Sequence, residues 1–191
     1  LPAITCCCAC HYVCMGDLML DPDEVNQKKH TMDYEAELAV IIGQTCKHLT
    51  LDNALDVIAG YSCFNDGSVR EYQRHTIQWT MGKNFDQTGP FGPLLVTPDE
   101  LPPAADGLKI ECRLNGQTVQ SSTTDMMIFK VVETLVYITE AMTLEAGDIV
   151  VMGTPSGVGH GRKPPLWMQD GDVVEVEIEK IGLLSNPVKA I

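Results

Sequence analysis

A mainly β protein with few helices is what this sequence predicts, on three observations. Apolar and polar residues alternate at the two-residue period of strands, as where Val174, Val176 and Ile178 are set against Glu175, Glu177 and Glu179. Asn115-Gly116 separates two such runs and supplies the positive φ angles of a type I′ hairpin turn. Only one long stretch, Met126 to about Met142, has helical spacing, with Met127, Val131, Leu135 and Ile138 on one stripe. We read that stripe as core.

Taken in order, Leu51 to Val57 reads as a short helix capped by Thr50, and Ile58 to Phe64 as a strand. Leu108 to Leu114 and Gln117 to Gln120 form the arms of the hairpin. Ile149 to Met152 and Val173 to Ile181 complete the strands, and the three glutamates of the last one read most simply as a solvated face.

The chain has 191 residues, 45% of them hydrophobic and 20% charged, which suits one core and a single domain spanning 1–191. A net charge of −13 argues against a nucleic-acid or anionic-membrane partner, so an anionic substrate would need local help from a metal or a few placed cations. No apolar run approaches the roughly 20 residues that span a bilayer, and the start lacks the basic-then-apolar order of a secretory signal. A cytoplasmic or organellar-matrix address is the expectation.

The stretch DYEAELAVIIG, Asp33 to Gly43, carries carboxylates where a buried strand is expected. Alternation puts Asp33, Glu35 and Glu37 on one face and Tyr34, Ala36, Leu38, Val40 and Ile42 on the other. Ala39 and Ile41 continue the acidic face as apolar surface, so Glu37 should lie at the edge of a buried layer, where an unpaired charge costs several kcal/mol. A basic partner or a divalent cation would compensate it; an exposed, salt-bridged edge is the structural alternative. Asp66 follows at a strand end before a short helix, where it either caps that helix or turns toward Glu35 and Glu37 to make an oxygen site suited to Mg²⁺ or Mn²⁺. Arg70 and Gln73, three apart, would share a face of that helix.

Five of the eight cysteines, Cys6, Cys7, Cys8, Cys10 and Cys14, crowd one segment with His11. Three successive cysteines cannot all point to one centre from a strand, so buried packing is preferred to a zinc or disulfide cluster. Gly153-Thr154-Pro155-Ser156-Gly157-Val158-Gly159 lacks the Gly-Lys-Ser/Thr ending of a phosphate loop, and reads as a tight loop bringing N–H groups and the Thr154 hydroxyl near an anionic ligand end, or as a plain structural turn.

DYEAELAVIIG, GYSCFNDGSVREYQ, GKNFDQTGPFGP, LNGQTVQ with SSTTDMMIF, LEAGDIVVMGTPSGVG and DGDVVEVEIEKIGLLSNPV occur in an order and spacing that resemble the fumarylacetoacetate hydrolase family, from about His30 to Val188. The resemblance implies a mixed β-sandwich or β-roll, usually a homodimer, acting on small anionic 2-oxo acids through Mg²⁺ or Mn²⁺. By motif position it implies Glu35, Glu37 and Asp66 as metal ligands, Lys83 as the catalytic cation beside the reacting carbonyl, and Arg70, Gln73 and Thr154 as substrate contacts, the first two at the mouth. Residues 1–29 depart from the family pattern, and the His- and Glu-bearing lid that members place N-terminal to the matched region is not found. His11, His30, His48, His75 and His160 read as polar surface residues.

Two enzymatic outcomes follow. Hydrolysis of an acylpyruvate or fumarylpyruvate-like carbon-carbon bond is the leading expectation, and isomerisation or decarboxylation of a 2-oxo or 2-hydroxymuconate-type diacid is the alternative, since it needs mainly the metal and a proton relay. A non-catalytic metal- or ligand-binding homologue is the alternative of another class.

Overall fold

The computed structural model describes residues 4–5, 13–15 and 31–190. Cys6, Cys7, Cys8, Cys10, His11, His30 and the side chain of Cys14 lie outside the described residues.

Strands dominate. In chain order they are β1 (Ile4–Thr5), β2 (Val13–Met15), β3 (Met32–Asp33), β4 (Ala36–Ile42), β5 (Ile58–Asn65), β6 (Ser68–Val69), β7 (Phe91–Val96), β8 (Lys109–Leu114), β9 (Gln117–Thr123), β10 (Ile149–Val151), β11 (Val173–Ile178) and β12 (Gly182–Ala190). Among the described residues there are two α-helices, α1 (Arg70–Gln73) and α2 (Val131–Ala141). One sheet runs β1-β7-β5-β4-β10, a second β2-β12-β11-β8-β9, and β3 with β6 forms a small ribbon. The pairing is antiparallel except between β12 and β2, which makes the second sheet mixed.

β11 and β12 lie against β4, β5 and β7, so the two large sheets form a sandwich. Its core draws on Leu38, Val40, Tyr61 and Cys63 from one sheet and Ile110, Cys112, Val176 and Ile178 from the other. The period-two pattern of β11 is realised here: Val174, Val176 and Ile178 are buried while Glu175 and Glu177 look outward. In the hairpin, Asn115 and Gly116 adopt the positive φ angles, 52° and 75°, that their turn requires.

The structure departs from the sequence expectation at three places. Residues 51–57 form successive turns instead of a helix. The Asn53 side chain accepts from Thr50 N–H at 2.8 Å, and later N–H groups reach back three residues, as Asp56 does to Asn53, so local bonds compete with a helical ladder. The long helix begins at Val131 rather than Met126: Thr124 is tied by its hydroxyl to Ala105 and Leu108, Met127 is extended with ψ 132°, and Ile128 and Phe129 stand exposed. Val131 and Leu135 do face the core, with Met127 and Ile138 partly buried beside it. Finally, β7 and β12 were not expected, because Pro93, Gly182, Asn186 and Pro187 are poor strand formers held in place by neighbouring strands.

This topology gathers the acidic residues. β4 pairs with β5 so that Ala36 faces Asn65 and Glu37 faces Phe64, which sets the start of one strand beside the end of the other. β10 runs along the opposite edge of β4, Val151 facing Ala39, and delivers the glycine-rich loop to the same end.

Candidate active site

Glu35 and Asp66 meet through their backbones before their side chains do. Asp66 N–H donates to Glu35 C=O at 2.9 Å, and Glu35 N–H donates to the Asn65 side chain at 3.0 Å, so the turn after β5 is stitched to the entry of β4. Carboxylate oxygens of Glu35, Glu37 and Asp66 consequently lie within 4.8 Å of one another. Asp66 does not cap α1, whose N-cap is Val69 and has no side-chain bond. Of the two alternatives open from the sequence, the structure takes the one in which Asp66 turns toward the glutamates.

Lys83 is held among them. Its Nζ donates to Glu35 Oε2 at 2.7 Å and Asp66 Oδ2 at 2.6 Å, with the side chain 20% exposed. It is brought there by a close approach: a Cβ on Gly82 would lie 2.6 Å from the Gln73 backbone N, so only glycine lets this segment sit against α1. Arg70 binds from the other side, Nη1 lying 2.6 Å from Glu35 Oε1 and Nε donating to Asp33 Oδ2 at 2.9 Å. Its Nη2, 2.8 Å from the same Asp33 oxygen, is too poorly aligned to add a hydrogen bond. Gln73 accepts from Arg70 Nη1 at 3.0 Å. Both residues line the cavity but are buried, so the expected mouth position is corrected: Arg70 is spent on holding Asp33 and Glu35 and Gln73 on holding Arg70, and the exposed groups at the rim are Arg74 and Trp79.

Glu37 is the uncompensated member. It is 4% exposed and accepts a hydrogen bond from Gly153 N–H at 2.5 Å. Burial, with the charges of Asp66 and Glu35 beside it, pushes its carboxyl up to about 8, against the pull of Gly153 and Lys83. Burial also raises the Asp66 carboxyl, opposed by its bond to Lys83. Gly153 makes its contact from φ +90°, a conformation open to glycine.

The glycine-rich loop is anchored by Asp33, which is fully buried and accepts from Gly159 N–H at 2.7 Å, His160 N–H at 2.8 Å and Tyr34 N–H at 2.9 Å. Alternation placed Asp33 with the other two carboxylates; the break between β3 and β4 turns it to the loop instead. Two of the loop's donors therefore serve Asp33 and a third serves Glu37 rather than a ligand. The Thr154 hydroxyl donates to Ala36 C=O at 3.0 Å and accepts from Gln120 Nε2 at 2.8 Å, leaving its backbone N–H without a partner among the described residues. Gln120, 2% exposed, also accepts from Ala36 N–H at 3.0 Å. It was missed in the sequence because a register shift in the β8–β9 pair turns Val119 and Gln120 inward together and breaks the alternation that would have marked it.

Glu35, Glu37, Asp66, Lys83 and Thr154 line a cavity of about 640 Å³ that also takes in Arg74, Trp79 and His160. His160 is half-buried against Trp167, ring centroids 5.8 Å apart, and so is not the surface residue expected; His48 and His75 are exposed as read. Cys46, Cys63 and Cys112 are buried free thiols, and burial pushes those of Cys63 and Cys112 up to about 12, outside the range of thiolate chemistry.

The donor set suits a hard divalent ion. Every candidate ligand is a carboxylate oxygen, and with all of them ionised the four acids Asp33, Glu35, Glu37 and Asp66 outnumber the two cations Arg70 and Lys83 by two, an excess that Glu37 limits by holding its proton when no further cation is bound.

Residues 12–189 match the family model described as fumarylacetoacetate (FAA) hydrolase, C-terminal. The chain is 41% identical over 170 residues to the Xenopus laevis protein named oxaloacetate tautomerase fahd2, mitochondrial, covering 88% of this chain and 53% of that one. The solved structure of a fumarylacetoacetate hydrolase from psychrophilic Exiguobacterium antarcticum superposes with a TM-score of 0.82 at 45% identity, over 94% of this chain and 64% of that one. The 5-carboxymethyl-2-hydroxymuconate delta-isomerase of Mycobacterium smegmatis gives 0.77 at 35% identity, over 84% and 60%. The chain thus spans about half the length of the curated relative.

Proposed function

This chain belongs to the fumarylacetoacetate hydrolase family, and on that premise we propose that it catalyses divalent-metal-assisted keto–enol isomerisation of a small 2-oxo acid. The observation that carries the reading is Lys83 Nζ held between Glu35 and Asp66 at 2.7 and 2.6 Å in the cavity wall. That geometry supports Lys83 as the donor to negative charge developing on an enol oxygen, and in a partly dehydrated site such a donor counts for more than in water.

Glu35, Glu37 and Asp66 would hold Mg²⁺ or Mn²⁺, which when bound supplies positive charge to the 2-oxo and carboxylate oxygens of the substrate. Arg70 fixes the rotamer of Glu35, and Gly153 N–H that of Glu37. Thr154 would contact the substrate carboxylate through its backbone N–H, its side chain being held by Gln120. Lys83 Nζ donates to the enol oxygen as its charge develops.

Isomerisation is preferred to the hydrolysis expected from the sequence because curated relatives from Xenopus laevis, Rattus norvegicus and Bos taurus are named oxaloacetate tautomerases. Hydrolysis of an acylpyruvate is the second reading, favoured by the similarity to the Exiguobacterium antarcticum protein, which is named a hydrolase. The same tautomerases are named as mitochondrial, which favours a matrix address. Homodimerisation, implied by the family resemblance, is supported by the exposed apolar residues Met126, Ile128 and Phe129, at 71%, 91% and 74%, and is checked by light scattering.

Enol absorbance of oxaloacetate and of acetylpyruvate, followed with and without Mg²⁺ or Mn²⁺, tests the reading. Metal-dependent loss of absorbance without acid or CO₂ release is expected. Release of two acids would move the chain to the hydrolytic reading, and no turnover on either would remove both.

A further inference from the structure

The cavity contains two groups of charges. Those acting on Glu37 are Asp66, Glu35 and Lys83, whereas those acting on His160 are Arg74, Arg70 and Asp33. Arg70 is already bound to two carboxylates, but Arg74 makes no ion pair among the described residues, in a chain with 26 acidic residues against 13 basic ones. An exposed guanidinium on a cavity wall, with no carboxylate partner among the described residues, can pair with one from outside.

His160 lines the same cavity. Its Nδ1 is buried with no partner, which disfavours a proton there. Burial and the neighbouring Arg74 and Arg70 hold the ring below its ordinary pKa, so the neutral form with its proton on Nε2 is preferred at neutral pH. The ring is steadied by Trp167 and by the bond from its own backbone N–H to Asp33, and Trp79 lines the same cavity. An imidazole N–H donor and a guanidinium with no ion pair among the described residues, both lining one cavity, match a carboxylate and do not match a cation.

We propose that Arg74 and His160 form a second anion subsite, which holds the far carboxylate of a 2-oxo dicarboxylic acid whose 2-oxo end lies against Lys83 and the acidic cluster. This rests on the reading of that cluster as the 2-oxo acid end. It makes Arg74 and His160 specificity-determining residues: they select diacids over monoacids by position.

Two non-enolisable ligands separate the subsites. Oxamate carries only the 2-oxo acid end, and N-oxalylglycine adds a far carboxylate on a short arm. The chain has two tryptophans, Trp79 on the rim and Trp167 against His160, so binding of either ligand in saturating Mg²⁺ is read from intrinsic fluorescence. N-oxalylglycine should bind the unaltered protein about tenfold or more tightly than oxamate. Arg74→Gln should abolish most of that advantage, and His160→Phe, which keeps an aromatic ring on Trp167, should reduce it about threefold. Arg74 is exposed, so its replacement does not threaten the fold.

Equal affinities in the unaltered protein, or an advantage that survives both substitutions, overturns the subsite, as does failure of both ligands to bind. Tautomerase turnover without the diacid advantage defeats this inference and leaves the proposed function standing. The advantage without turnover does the reverse.

Discussion

β4 and β11 enter the sandwich with the same Glu-x-Glu lettering and end in opposite chemistry. In β11, Glu175 and Glu177 lie on the outer face, the first half-buried and the second exposed, and share Arg113 at 3.0 and 2.7 Å. At the entry to β4, Glu35 just before the strand and Glu37 within it are 7% and 4% exposed, and of the two only Glu35 has cationic partners within 4 Å. The difference is set by the neighbours. β11 has one core face and one wet face, whereas β4 runs between β5 and β10 with both faces covered. A glutamate costs little on the first strand and several kcal/mol on the second unless something compensates it.

Glu37→Gln tests that contrast most severely. The change keeps shape and removes one charge from a hard-cation site, so bound Mg²⁺ or Mn²⁺ and turnover should fall about 10³-fold or more while circular dichroism stays native. Retained metal with retained rate would return Glu37 to a structural role. Lys83→Met is next: turnover should drop on the order of 10²-fold, the scale for one charge-stabilising donor, with metal content preserved. An unchanged rate would leave Lys83 as a counter-ion only.

The buried member should also be visible in stability without metal. Glu37 titrates at about 8 in the folded chain against 4.5 as an ordinary carboxyl, so between those values the folded state holds more protons than the unfolded one. Stability of the metal-free protein must therefore fall as pH rises from about 5 to 8, by up to roughly 3–5 kcal/mol. Chelator-treated protein unfolded in urea at several pH values would show it, and Glu37→Gln should flatten the slope. A metal that needs the ionised carboxylate works the other way and stabilises more at higher pH.

Much of this was legible in the letters. The alternation in β11, the Asn-Gly turn, and the carboxylates at 35, 37 and 66 with Lys83 were readable because each is a local pattern or a recurrent motif order. What could not be read depends on partners distant in sequence. The break that turns Asp33 away to Gly159 is set by β6 and the loop 126 residues later, and the register shift that buries Gln120 is set by β8. His160 reads as surface until Trp167 and the rim of the cavity are placed beside it. Residues 51–57 show the same limit at short range, where Asn53 outcompetes a helix that composition alone allows.

The smallest expected effect closes the comparison. Glu177→Gln removes a partner of Arg113 from β11, but the Glu177 side chain is 50% exposed and Arg113 keeps Glu175 at 3.0 Å. Exposed pairs are screened and cost side-chain entropy to hold, so unfolding free energy should move by less than about 0.5 kcal/mol, with turnover unchanged. The strand itself is held by Val174, Val176 and Ile178 in the core and by its ladders to β8 and β12, none of which the substitution touches. Urea titration of this variant beside Glu37→Gln at pH 8 sets the two strands on one scale. A loss above about 1 kcal/mol from Glu177→Gln would show that the outer glutamates of β11 are structural after all, and that burial is not what separates the two Glu-x-Glu pairs.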